Sequence, residues 1–441
     1  MFPNPQDALP LPPNPSLEHY RKVAKNLVKI CKSDSPGALR DWSAAFVEDL
    51  VVRTRVAFSP NLPVERPRWV DELTGFATRT LHKSDNPCAL SAAQFVIARA
   101  LGFTSWPRFV QHLQAADHTP SIVAFEAAAD AIVNGDLPRL QELLRQYPDL
   151  PLHRSTREHH ATLLHYTAAN GVEGYRQKTP QNIVAIAELL LNSGAEIDAE
   201  ADVYGGGCTT LGLAATSIHP EVAGVMEPLL ELLLARGARM ERPGAYGNAQ
   251  GPILGCLANG RISSAVFFAN RNAHLNLETA AGVGRLDVVK TFFDSVGALL
   301  PTATPDQLQK GFIWACMYGW EEVALYLLDR GASLLDRANS GATPLHWAAG
   351  CASVGIVKAL IARGAPLEEV NQWGGTVLEH AGHGFDHYPP AGDFAPTFEV
   401  LLAAGAKIQS NWLSWIATRK HYTDAEKARI AEVFRRHGAK T

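Results

Sequence analysis

The stretch "SGATPLHWAAGCASVGIVKALIARGAPLEEV", residues 340–370, decides how this chain folds. Thr343 can close the start of a short helix with its hydroxyl. Pro344 fits the first turn, where its missing N–H is no loss. Leu345, with Ala348 and Ala349, makes a small apolar face that a neighbouring helix can approach closely. Ile356, Val357, Leu360 and Ile361 recur at helical spacing and mark a second helix. Gly364 then ends it, since glycine adopts the left-handed conformation without a Cβ clash. The stretch reads as helix, turn, helix and stop.

Its tail recurs along the chain as "LLNSGAEID" (190–198), "LLARGARM" (233–240), "LLDRGASLL" (327–335), "LLAAGAKI" (401–408) and "FRRHGAK" (434–440). Gly331 to Gly364 is 33 residues, and so is Gly405 to Gly438. Worn versions fill the gaps at 124–144, 251–273 and 277–298, giving about nine units from residue 122 onward. Gly341, the Thr343-Pro344-Leu345-His346 run, Ala348-Ala349 and Gly364-Ala365, at this period, closely resemble the ankyrin repeat. The resemblance implies an all-α solenoid in which stacked units share one quasi-linear core. The polar segment "TDAEKARIAEVFRRHGAK" (423–440) suits a C-terminal cap.

Residues 17–117 lack the repeat. "SLEHYRKVAKNLVKICK" places Leu17, Tyr20, Ala24, Leu27 and Cys31 on one helical face behind a Ser16 cap. "ALSAAQFVIARALGFTSWPRFVQHLQ" (89–114) reads as a helix stopped at Gly102 and a second helix opened by Ser105 with Pro107 in its first turn. That segment resembles one with the tag GFxSWPxL that precedes ankyrin arrays in some bacterial proteins. Residues 51–73 are proline-punctuated and irregular. The organisation expected is a proline-rich arm (1–16), a helical domain (17–117) and an ankyrin-repeat domain (118–441).

Composition bounds the function. The formal net charge is −4 and the pI about 6.5. That balance disfavours nonspecific binding to nucleic acid or anionic membrane. The second helix of the 89–114 pair is also poor in base-reading residues, so its helix–turn–helix look predicts no DNA binding. No apolar run is long enough for a membrane span. The N-terminus has neither the basic nor the apolar region of a signal peptide. Six scattered cysteines (Cys31, Cys88, Cys208, Cys256, Cys316, Cys351) show no zinc spacing and read as reduced and buried. A cytoplasmic protein with no cofactor and no bound metal is the expectation.

In the ankyrin fold, as the resemblance implies, the residue after the TPLH run faces a concave groove. Register then gives Tyr166, Trp314, Trp347, His380 and, one unit on, Trp415. One turn later it gives Asn170, Ser217, Asn259, Val283, Tyr318 and Cys351. An aromatic wall in the C-terminal half is therefore expected to bind a protein or peptide partner. His165 and His346 hold the TPLH histidine position, where the family uses histidine to bridge units. His159 and His160 fall at an exposed finger. Insertions at 172–181, 217–228 and 383–393 stretch the glycine spacing to 43 (Gly194 to Gly237) and 41 (Gly364 to Gly405). They place His219, His383, Asp386, His387 and Tyr388 on a rim.

No catalytic set is legible. "GGG" (205–207) lacks the Lys-Ser/Thr of a phosphate loop, "GVG" (282–284) follows no strand, and neither GxSxG nor HExxH occurs. The alternative to a binding protein is an enzyme or small-molecule binder with a pocket between groove and insertions, metal-assisted through His380, His383, Asp386 and His387. Gly384, Pro389 and Pro390 are expected to end the helix at His383, which removes the one-turn spacing a metal pair would need.

Overall fold

A computed structural model describes residues 7–13, 15–33, 35–54, 62–83, 86–247, 251–338, 340–387, 393–409, 411–419 and 422–439. The chain divides into two compact units, Met1–Phe267 and Phe268–Thr441. Tyr388 lies outside the described residues, as does the side chain of His387.

The first unit opens with five helices: α1 (Leu17–Lys32), α2 (Ala38–Thr54), α3 (Leu62–His82), α4 (Leu90–Ala100) and α5 (Trp106–His118). α1 buries Tyr20, Ala24, Leu27 and Cys31, the face its spacing marked, and Ser16 Oγ accepts from His19 N at 3.4 Å. The helix–turn–helix at 89–114 also forms. Gly102 takes φ 86°, Ser105 Oγ accepts from Arg108 N at 3.4 Å, and Phe103 and Phe109 are core. Of the irregular-looking 51–73, the described residues 51–54 and 62–73 are helical, and α3 runs through Pro67, which removes one backbone hydrogen bond inside it. The described part of the arm packs into this core: Leu9 is fully buried and its N–H donates to Ala100 O at 2.7 Å.

One expectation about the cysteines fails in this region. Cys31 and Cys88 form a disulfide, although all six cysteines read as reduced. They are 57 residues apart, and only folding brings the end of α1 to the α3–α4 turn. Cys208, Cys256, Cys316 and Cys351 are free.

The rest of the first unit contains α6 (Pro120–Asn134), α7 (Leu137–Gln146), a 3-10 turn (Leu163–Ala168), α8 (Ile183–Asn192), α9 (Thr210–Thr216), α10 (Ile218–Val222), α11 (Met226–Ala235), α12 (Pro252–Ala258) and α13 (Ile262–Ala269) as far as Phe267. One small antiparallel pair, Glu200–Ala201 against Cys208–Thr209, forms the stem of a finger. The second unit runs α14 (Leu277–Gly282), α15 (Leu286–Lys290), α16 (Pro305–Tyr318), α17 (Glu321–Leu328), α18 (Pro344–Gly350), α19 (Val354–Ala362), α20 (Val377–His387), α21 (Phe394–Ala403), α22 (Trp412–Ala417) and α23 (Asp424–Arg436). Its core is continuous from Leu277 to Phe434, since no single helix pair can bury its own apolar face. Among the described residues no helix is long and apolar enough to cross a membrane.

The TPLH histidines tie unit to unit. Thr343 N–H donates to His346 Nδ1 at 3.2 Å, so that nitrogen is unprotonated. Nε2–H is then free to donate to Gly375 O at 3.3 Å in the next unit. His165 repeats the pattern, from Thr162 N (3.1 Å) to Cys208 O (3.3 Å). Burial pushes both imidazoles down, His165 to about 4, and keeps them neutral.

Helix α20 is longer than expected. It continues through Gly384 to His387 instead of ending at His383. A Cβ on Gly384 would lie 1.9 Å from Gly350 O, so this glycine serves close packing on α18 rather than helix termination.

Candidate functional site

A cleft of about 650 Å³ lies in the first unit. Its floor comes from α9, positioned by Thr209 Oγ1 accepting from Gly212 N at 3.3 Å. A Cβ on Gly212 would sit 1.8 Å from Ala245 O, so only glycine lets the 245–246 turn close over this helix. Tyr204, on the finger, reaches over one side, and its hydroxyl donates to Asn170 Oδ1 at 2.8 Å. Asn170 Nδ2 in turn donates to Leu213 O (3.3 Å) and Thr216 Oγ1 (3.2 Å). Ser217 Oγ donates to Ala169 O at 3.3 Å and accepts from His219 N at 3.3 Å. On the far side Arg261 pairs with Glu221 at 2.6 Å and donates to Asn259 O at 2.9 Å.

The cleft's electrostatics are quiet. Burial pushes His219 down and Tyr204 up, and it lifts the Cys208 thiol to about 11. The cleft therefore presents neutral donors and acceptors on an apolar floor, with one ion pair at its edge. Among the described lining residues, the Tyr204 phenol, the Cys208 thiol and the His219 imidazole are thus held in their neutral forms. Such a surface suits recognition by hydrogen bonding and fit.

Asn170 and His219, placed by register and by insertion, meet in this cleft. Tyr204, Asn259 and Arg261 complete it. Asn259 lay on the register stripe. Tyr204 and Arg261 carried no signal, because a finger and the end of a helix pair meet only once the units stack.

Tyr166 is a correction. It is fully buried, packs edge-on against Phe125 and His159, and donates to Glu173 at 3.4 Å. It cannot line an open groove, because a buried ionic cluster lies where its face was expected to be open. Arg157 Nε meets Glu173 at 2.6 Å with both side chains essentially solvent-free. Arg157 also reaches Glu126 (3.2 Å) and Leu101 O (2.9 Å), while Arg176 reaches Glu126 and Asp130, each at 2.8 Å. Burial works to raise the Glu126 carboxyl, but the two guanidiniums outweigh it and hold the group at about 2. Glu173 is held well below the usual carboxylate range by the same contest. The first half of insertion 172–181 thus belongs to the interior: Glu173, Tyr175 and Arg176 are all buried. His159, expected on an exposed finger, is buried beside Glu173 at 3.4 Å, while His160 is exposed and pairs with Asp202 at 2.7 Å.

In the second unit the register residues form ring contacts. Trp314 stacks on Tyr318 with centroids 6.1 Å apart, and its indole N–H donates to Glu278 at 3.0 Å. Trp347 and His380 meet edge to face at 5.2 Å. Trp314, Tyr318, Trp347 and Trp415 are half-buried. His380 is only 9% exposed, so it is wall filling rather than groove surface, and burial pushes it down to about 4. His383 is exposed and lies 6.2 Å from the His380 ring. A shallower cleft of about 290 Å³ joins Glu379, His383, Asp386, Gln409, Trp412 and Trp415. Arg419 covers its Trp415 ring at 4.7 Å and pairs with Asp386.

A family model for ankyrin repeats, three copies, matches residues 277–372. The chain is an all-α protein carrying an ankyrin-repeat solenoid. Among solved structures, the human ASB11 ankyrin repeat domain is 21% identical, with a TM-score of 0.33, over 64% of this chain and 99% of that one. No curated protein sequence matches.

Proposed function

We propose that this chain is a binding protein whose ankyrin repeats (118–441), preceded by a helical domain (17–117) and an N-terminal arm (1–16), recognise a protein or peptide partner. The observation that carries this reading is the cleft around Asn170, Tyr204, His219, Asn259 and Arg261. It is roomy, open to solvent and lined by neutral hydrogen-bonding groups, with the paired Arg261 at its edge. A peptide carries backbone donors and acceptors to match them, and a partner side chain can fill the apolar floor. The aromatic row Trp314, Tyr318, Trp347 and Trp415, with His383 and Asp386, is a second contact surface of the kind hot spots favour. Function in the cytoplasm, without cofactor, fits this role.

Selection of a displayed random-peptide library on the folded chain, followed by hydrogen exchange, tests the reading. Bound peptides should protect residues around 169–170, 204–219 and 258–261. Protection confined to other segments would refute the site.

A further inference from the structure

The disulfide in the first unit has a third neighbour. His82, the last residue of α3, places Nε2 4.0 Å from Cys31 Sγ. Its Nδ1 lies 2.9 Å from Thr78 O. A carbonyl only accepts, so Nδ1 carries the proton and Nε2 presents its lone pair to the sulfurs. That is the arrangement by which a metal-ligating histidine is usually fixed, its other nitrogen donating to a backbone carbonyl. Cys88 is held in place by its own N–H, which donates to Leu81 O at 2.9 Å. The ligand atoms of Cys31, His82 and Cys88 lie within 4.8 Å of one another. Both cysteines are 7% exposed while His82 is exposed, so two buried sulfurs sit behind one solvent-facing imidazole.

We propose that Cys31, His82 and Cys88 form a site for a soft divalent cation of the Zn²⁺ class when the disulfide is reduced. Metal and disulfide compete for the same two sulfurs. Two thiolates and an imidazole are a soft donor set, and a water on the exposed side completes four-coordination. Ligand distances of about 2.0–2.3 Å put tetrahedral donors roughly 3.3–3.8 Å apart, so the three groups need only small adjustments once the S–S bond opens. The exchange balances. A phosphine with one water, or two small-molecule thiols, supplies two electrons and two protons and breaks the S–S bond, leaving two Cys thiols and a phosphine oxide or a small-molecule disulfide. The cation then displaces both thiol protons to solvent. In either state the end of α1 stays tied to the α3–α4 turn.

The test uses the full chain and Co²⁺ as a spectroscopic probe that Zn²⁺ displaces. After reduction with a phosphine in anaerobic buffer, Co²⁺ should give a near-ultraviolet thiolate charge-transfer band that saturates at one metal per chain and collapses on adding Zn²⁺. The same chain left oxidised should give none. Cys31→Ser should abolish the band. His82→Ala should weaken Co²⁺ binding by at least roughly 10-fold with the helical circular dichroism intact. No band in the reduced chain would overturn the proposal, whether or not the chain stays folded. So would a band that survives Cys31→Ser or appears equally in the oxidised protein. The oxidised-against-reduced comparison needs no substitution, so a misfolded variant does not spare the idea.

Discussion

His165 and His346 show how one residue type can serve the fold while resembling catalytic material. Each accepts a backbone N–H on one nitrogen and donates to the next unit on the other, which requires the neutral ring. His165 and His380 both stand near 4 in the folded chain against an ordinary 6.5. Between those values the unfolded chain binds protons that the folded chain refuses. Stability is therefore full above pH 6.5 and falls as pH drops toward 4, by roughly 2 kcal/mol per histidine between pH 7 and 5. The urea midpoint should be clearly lower at pH 5 than at pH 7, and an unchanged midpoint would contradict the assignment. The TPLH role was legible because the spacing repeats. The burial of Tyr166 was not, since the register that placed it holds no information about Arg157, Glu173 or Arg176 closing over it. Gly384 was misread for a related reason: a glycine that ends a helix and one that lets two helices touch look alike in sequence. Gly384→Ala should cost about 1–3 kcal/mol by overpacking against Gly350, despite alanine's better helix propensity. Thermal or urea denaturation reads this directly.

At the scale of elements, the helices and their stops were legible, because caps and apolar spacing are local properties. α1, α4 and α5 begin and end close to where Ser16, Gly102 and Ser105 direct. What escaped is how inserted segments are used. The 172–181 segment looked like a rim loop, yet it carries Glu173 and Arg176 into a buried ionic cluster with Arg157. Removing one member of such a pair leaves the other charge buried and unpaired. Glu173→Ala should therefore destabilise the first unit by about 3–5 kcal/mol, far more than an exposed pair such as Arg139–Glu142 contributes. Comparing denaturation of Glu173→Ala with that of Glu142→Ala checks the contrast. Similar losses would show the buried cluster to be dispensable.

For the whole molecule, the period of 33 residues foretold the class of fold, because stacked units repeat one packing solution. It did not foretell the cleft, which depends on a finger, a short helix and a helix end supplied by separate repeats. Nor did it foretell the disulfide between α1 and the α3–α4 turn. In a quasi-linear array each unit feels its neighbours most. Hydrogen exchange in Glu173→Ala should accordingly quicken around residues 124–190 and leave α18 to α21 close to wild type. Uniform quickening would mean the chain unfolds as one block. The central claim is that the Asn170–Tyr204–Arg261 cleft grips a peptide. Its most direct test is calorimetric affinity of a library-selected peptide for the wild type and for Tyr204→Ala and Arg261→Ala, each verified as folded. The account predicts a hot-spot loss of about 2 kcal/mol, roughly 30-fold in Kd, in at least one variant. Unchanged affinity in both would contradict it.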